Sequence, residues 1–146
     1  MKILIYGLPG SGKTTLSKQI AEYYKIPHFN GDDVRKMFND WHFELEGRKI
    51  QALRMNVLSN MADNCIVDFV CPLDIYRKDY DYTIFMNTIN ESKYANTNSI
   101  FELGKPNIEI KKWIDKNQLL KCLEDGNHGI EDIQNFLKER LQKLVK

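Results

Sequence analysis

Gly7-Leu8-Pro9-Gly10-Ser11-Gly12-Lys13-Thr14 fills every defining position of the pattern G-x-x-x-x-G-K-[ST]. Before it runs a continuous apolar stretch, Lys2 to Leu8, the mark of a strand buried on both faces. After it, Gly12 to Tyr24 reads as a helix with Leu16, Ile20 and Tyr23 on one stripe. An accidental glycine-rich turn would not come with both flanks in place. Phosphate oxygens need many donors at close range, and glycines let successive backbone N–H groups converge without obstruction. The helix that follows adds its positive end. The predicted nucleotide-binding set is therefore Gly7, Pro9, Gly10, Ser11, Gly12, Lys13, Thr14 and Thr15. Lys13 supplies a charge for the β- and γ-phosphates and counts as a catalytic residue, while the Thr14 hydroxyl is placed for Mg²⁺. ATP and Mg²⁺ are the implied cofactors.

Working outward, strand-like and helical segments alternate. Ile26 to Asn30, Cys65 to Val70, Tyr82 to Ile89 and Asn107 to Trp113 read as further strands. Asp32 to Trp41 reads as a helix, and so does Glu46 to Ala62 with Ile50, Leu53, Val57 and Met61 on one face. A last helix follows Gly129, with Ile130, Ile133, Leu141 and Leu144 on a stripe. This alternation predicts an α/β fold of three layers, a mostly parallel five-stranded sheet with helices on both faces. The polar stretch from Glu91 to Lys105 lacks a clear period and reads as a loop or a mobile lid over about 91–105.

The 146 residues, 42% of them hydrophobic, suffice for one domain over 1–146 and one core, but not for two. A net charge of +1 argues against a nucleic-acid coat or a polybasic membrane binder. No apolar run approaches the roughly 18 residues of a membrane span. Three cysteines at wide spacing (Cys65, Cys71, Cys122) make no disulfide framework or zinc pattern, and point to a reducing cytoplasm. His28, His42 and His128 are scattered without metal spacing. A homodimer is compatible with all of this.

A second constellation, Asn30-Gly31-Asp32-Asp33-Val34-Arg35, stands at the end of the second strand, where an open sheet faces its ligand crevice. Asp32 is the candidate base and second metal residue, and Asp33 the candidate helix cap. Four of the five arginines (Arg35, Arg48, Arg54, Arg77) fall between 35 and 77. Guanidinium forks suit phosphate or sulfate, so the cluster predicts an anionic small molecule. Trp41 and Phe43 in the same segment offer rings for a planar base. Asp68 ends an apolar strand; it either orders Mg²⁺ through water or hydrogen-bonds a neighbouring loop.

These motifs together resemble the adenylylsulfate kinases: the run from Gly7 to Leu16, then Asn30 to Arg35, Phe43, Gly47-Arg48, Gln51, Arg54, Val70-Cys71-Pro72 and Arg77. The order and approximate spacing hold over about the first half of the chain. Asn30 and Cys71 depart from that family's acid and serine, and its arginine-bearing lid has no counterpart here. The resemblance implies a P-loop kinase that phosphorylates the 3′-hydroxyl of adenylylsulfate. It implies that Asp32 meets the hydroxyl and the metal, that Arg35, Arg48 and Arg54 surround the sulfate-phosphate part, that Phe43 stacks on the base, and that Gln51, Val70, Cys71 and Pro72 line the pocket. Two alternatives stand beside it: a kinase of another hydroxyl acceptor such as a hydroxymethylated nucleotide or DNA base, and a non-catalytic ATP-binding module. A GTPase lacks its N-K-x-D-like reader in this sequence, and a motor needs more chain.

Overall fold

The computed structural model describes residues 1–113 and residue 117. The strands are β1 (Lys2–Tyr6), β2 (His28–Asn30), β3 (Cys65–Asp68), β4 (Tyr82–Met86) and β5 (Ile108–Ile110). The helices are α1 (Lys13–Tyr24), α2 (Gly31–Phe38), α3 (Leu45–Ser59), α4 (Asp74–Arg77) and α5 (Ala95–Ile100). All five strands pair in parallel, in the order β2-β3-β1-β4-β5. β1 is central. The chain runs from it to β2 and β3 on one side and later to β4 and β5 on the other. Such a sheet opens its ligand crevice beyond the carboxyl ends of the strands.

Helices cover both faces, so the strands alternate between two cores rather than between core and water. Ile3, Ile5, Ile66, Ile84 and Ile108 meet Leu16, Ile20 and Tyr24 of α1 on one face. Leu4, Tyr6, Val67 and Phe85 meet Val34, Ala52 and Met55 on the other. Tyr24, four residues after Ile20, completes the α1 stripe; the expected Tyr23 is exposed.

The orientation of α3 corrects the sequence expectation. Ile50, Leu53, Val57 and Met61 face outward, and Met61 is 79% exposed beyond the helix end. The buried face carries Gly47, Arg48, Gln51, Ala52, Met55 and Ser59. Hydropathy periodicity assumes that the inner face of a helix is the apolar one. Here the inner face reaches a polar cleft at its start and the core only from Ala52 onward.

Two further departures concern helix ends and the polar stretch. Asn30, not Asp33, caps α2, its side chain accepting a hydrogen bond from the Asp33 N–H at 3.0 Å. Within 91–105 the chain forms α5 and buries Thr97, so this stretch is not a bare loop. No described helix is long and apolar enough to cross a membrane. The predicted last helix, with Cys122, His128 and Arg140, lies outside the described residues.

Candidate active site

The corner after β1 is built from glycine backbone. Gly10 and Gly12 adopt φ of 86° and 101°, the left-handed region that side chains rarely tolerate. The Ser11 N–H bonds to Leu8 O at 3.2 Å, and Thr88 donates to Ser11 O at 2.7 Å, pinning the loop from outside. Lys13 folds back onto Leu8 O at 3.0 Å. Burial lowers its amine to about 8, against the opposing pull of Asp68 and Asp32. Pro9, Gly10, Gly12, Lys13, Thr14 and Thr15 line a cleft of about 570 Å³. Gly7 and Ser11 sit beneath it: Gly7 packs against Met86 O, and Ser11 is fully buried.

Behind the loop stands a polar network centred on Asp68, which is 1% exposed. Thr14 Oγ1 and Asn30 Nδ2 both donate to Asp68 Oδ1 at 3.0 Å, and Asn30 Nδ2 also reaches Thr14 at 3.1 Å. His28 Nε2 contacts Asp68 Oδ2. Register explains the convergence. Asn30 pairs with Asp68 across the two strands, and His28, two residues earlier, points to the same face. Asn30 thereby serves twice, its oxygen capping α2 and its amide donating to Asp68. A carboxylate at position 30 would oppose Asp68 charge to charge. A threonine hydroxyl with a buried carboxylate behind it fits Mg²⁺, which keeps most of its ligands as water and phosphate oxygens. Thr14 would hold the ion, with Asp68 behind it. Asp32 lines the same cleft from the first turn of α2.

The opposite wall is cationic. Arg35 and Arg48 line the cleft and are 3% and 7% exposed. Their guanidinium carbons lie 4.4 and 5.0 Å from the centre of the Phe43 ring. Arg35 donates to the carbonyls of Asp40 and His42 at 3.1 Å, with the Asp40 carboxylate at 4.0 Å. Arg48 donates to Phe43 O at 3.0 Å and to the Thr97 hydroxyl of α5. It pairs with no carboxylate among the described residues. Burial first, and the like charge of Arg35 second, hold Arg48 below the ordinary guanidinium range. Val70, Cys71 and Pro72 complete this wall, with Tyr94, Asn96 and Thr97 above it. Cys71 adopts φ of 44°, and burial pushes its thiol up to about 12, so it is an inert packing group.

Several expected site residues are occupied elsewhere. Arg54 is not among the cleft residues: it pairs with Asp40 at 2.8 Å, bonds Gln51 Oε1 at 3.0 Å and covers the Phe38 ring. Gln51 reaches the cleft but donates to Gly31 O at 2.9 Å, tying α3 to the start of α2. Trp41 is half exposed outside the cleft. Arg77 staples the chain instead of facing it. It donates to the carbonyls of Cys71, Pro72, Glu102 and Leu103 and lies over Tyr6 at 4.0 Å. Sequence reasoning missed His28, Thr97 and Trp113. Alternation from Asn30 along β2 is the signal that would have found His28, whereas nothing local marks the other two.

Solved structures share this fold. An APS kinase from Mycobacterium tuberculosis superposes with a TM-score of 0.59 at 20% identity, over 86% of this chain and 96% of that one. A shikimate kinase from Aquifex aeolicus gives 0.61 at 16%, over 87% and 98%. This is the P-loop NTPase fold. A family model described as an AAA domain matches residues 6–69. Among curated proteins, the adenylate kinase of Lachnoclostridium phytofermentans is 56% identical over 79 residues, 54% of this chain and 35% of that protein. The adenylate kinase of Listeria innocua is 30% identical over 130 residues, 84% of this chain and 58% of that protein. The chain thus spans between about a quarter and three fifths of the length of the curated relatives it matches.

Proposed function

We propose that this chain is an ATP-dependent kinase that transfers the γ-phosphoryl group to a small anionic acceptor. The observation that carries the proposal is Arg48, a buried cation without a carboxylate partner among the described residues, across one cleft from the phosphate cradle. A buried, unpaired charge is costly. An acceptor anion would relieve that cost.

In this reading the triphosphate lies on the N–H groups of the loop, and Lys13 draws the β- and γ-oxygens. Magnesium, when bound, shields the phosphate charge. Arg35 and Arg48 hold the acceptor's anionic group, and Phe43 keeps the two guanidinium groups in place. Asp32 faces the space between the two walls and there orients an acceptor hydroxyl or takes its proton. The residues of α5 above the cleft exclude water, which would otherwise compete as acceptor. Positioning and charge stabilisation do most of the work.

Adenylylsulfate, through its 3′-hydroxyl, is the acceptor that the motif resemblance favours. The names of the curated relatives favour a second reading, a nucleoside monophosphate whose phosphate is the acceptor. A screen with labelled ATP against adenylylsulfate, AMP and hydroxymethylated nucleotides tests both. Asp32→Asn separates them where its MgATP affinity matches the parent's: a hydroxyl acceptor then still needs the carboxylate as base, and a phosphate acceptor does not. ATP binding without acceptor-dependent ADP release from any compound would reject the kinase in favour of a binding module.

A further inference from the structure

His28 is not among the residues that line the cleft, yet its Nε2 reaches Oδ2 of the buried Asp68. The other oxygen, Oδ1, accepts from Thr14 Oγ1 and from Asn30 Nδ2. A carboxylate offers about four acceptor positions, so these three donors leave Asp68 little freedom to turn. Asn30 is fixed as well, because its own oxygen caps α2 through the Asp33 N–H. Thr14 is equally committed. A hydroxyl has one proton and two lone pairs; the proton goes to Asp68, one lone pair accepts from Asn30, and one remains. The backbone ladder between β2 and β3 already joins the two strands, so a side-chain tie is not needed to hold that edge.

A use for the tie follows from the last lone pair of Thr14, the residue placed above to hold magnesium. We propose that His28 is a positioning residue for that ion: by holding Oδ2 it keeps Asp68 in the one orientation that takes the Thr14 proton and leaves the Thr14 lone pair free. Without His28, a buried carboxylate oxygen loses its described partner, and turning the group to find another breaks the Thr14 contact. The residue acts from behind, through Asp68, and touches neither nucleotide nor metal. The inference rests on the nucleotide site of the kinase reading above and is independent of the acceptor.

Binding alone tests it. By calorimetry, His28→Phe should weaken MgATP by about 10- to 100-fold, the usual worth of a group that orients a metal's holder. Affinity for ATP in EDTA should change by less than about twofold. His28→Gln, whose amide nitrogen can stand where Nε2 does, should recover most of the loss. Equal weakening with and without magnesium would make His28 a support of the loop and overturn the proposal. Unchanged MgATP affinity in His28→Phe would do the same, as would a glutamine no better than phenylalanine. Thermal melting checks each variant, and His28→Leu is measured in place of a His28→Phe that does not fold. If neither folds, His28 is a support of the fold and the proposal falls. A parent protein that binds ATP equally well with and without magnesium overturns it too. A parent that binds neither form refutes the nucleotide site itself, and binding without phosphoryl transfer refutes the kinase reading alone.

Discussion

The two walls of the cleft are made in opposite ways. The donor wall is backbone: about eight consecutive residues whose N–H groups and glycine dihedrals form a cradle at one corner. The wall proposed to take the acceptor is side chains: Arg35 from α2, Arg48 from α3, Phe43 between them, Cys71 after β3 and Thr97 from α5. A backbone cradle depends on local conformation and suits any phosphate chain. A wall assembled from five separated segments depends on how they pack, and it is where selectivity for the acceptor can reside.

If the division is real, it should survive substitution on either side. Lys13→Ala should have the largest effect, a loss of kcat/KM of at least about a hundredfold, as expected for removing a donor aimed at developing charge. Steady-state kinetics with the identified acceptor measures it. Arg48→Ala should act on the other wall alone. Acceptor KM should rise about 10- to 100-fold, the worth of a hydrogen bond to a charged group, while ATP affinity from calorimetry stays within about twofold. A selective loss of ATP affinity would join the two walls and break the comparison. Thermal melting should accompany that measurement, because Arg48 also supports Phe43 and Thr97.

A pH titration sharpens the donor side. Lys13 in the ligand-free cleft is lowered to about 8. Above that value the amine is neutral, and phosphate binding must take up a proton. ATP affinity should therefore fall as pH rises through about 8, by up to about tenfold per pH unit. A flat profile would show that Lys13 stays charged. The stability linkage has the opposite sense. The folded value is depressed, so the charged amine weakens the ligand-free fold below about 8, and that penalty fades as pH rises toward the ordinary lysine value. The smallest effect is expected on the outer face of α3. Leu53→Ala should change stability by less than about 0.5 kcal/mol, whereas Met55→Ala, two residues on and fully buried, should cost about 2–5 kcal/mol. Chemical denaturation of the two variants compares them directly.

The strands and the cradle were legible because their signals are local. Five apolar runs, the Gly7–Thr14 motif and the position of Asp32 all sit within short windows. The orientation of α3 was not legible. Its apolar residues suggested an inner face, yet Arg48, Gln51 and Met55 turn inward because the helix serves the cleft as well as the core. The arginine cluster was visible as a composition bias, but its division was not. Arg35 and Arg48 face the cleft, Arg54 pairs with Asp40, and Arg77 holds four carbonyls.

The chain of amino acids alone dictated where phosphate oxygens can be gathered, because glycines before a helix permit the left-handed dihedrals that turn successive N–H groups toward one point. Only the folded molecule decided which distant side chains share that space. His28 meets Asp68 through strand register, Thr97 of α5 meets Arg48 of α3, and Trp113 meets Gly12 from the far edge of the sheet. Such meetings are set by the order and spacing of strands, to which no short stretch of sequence has access.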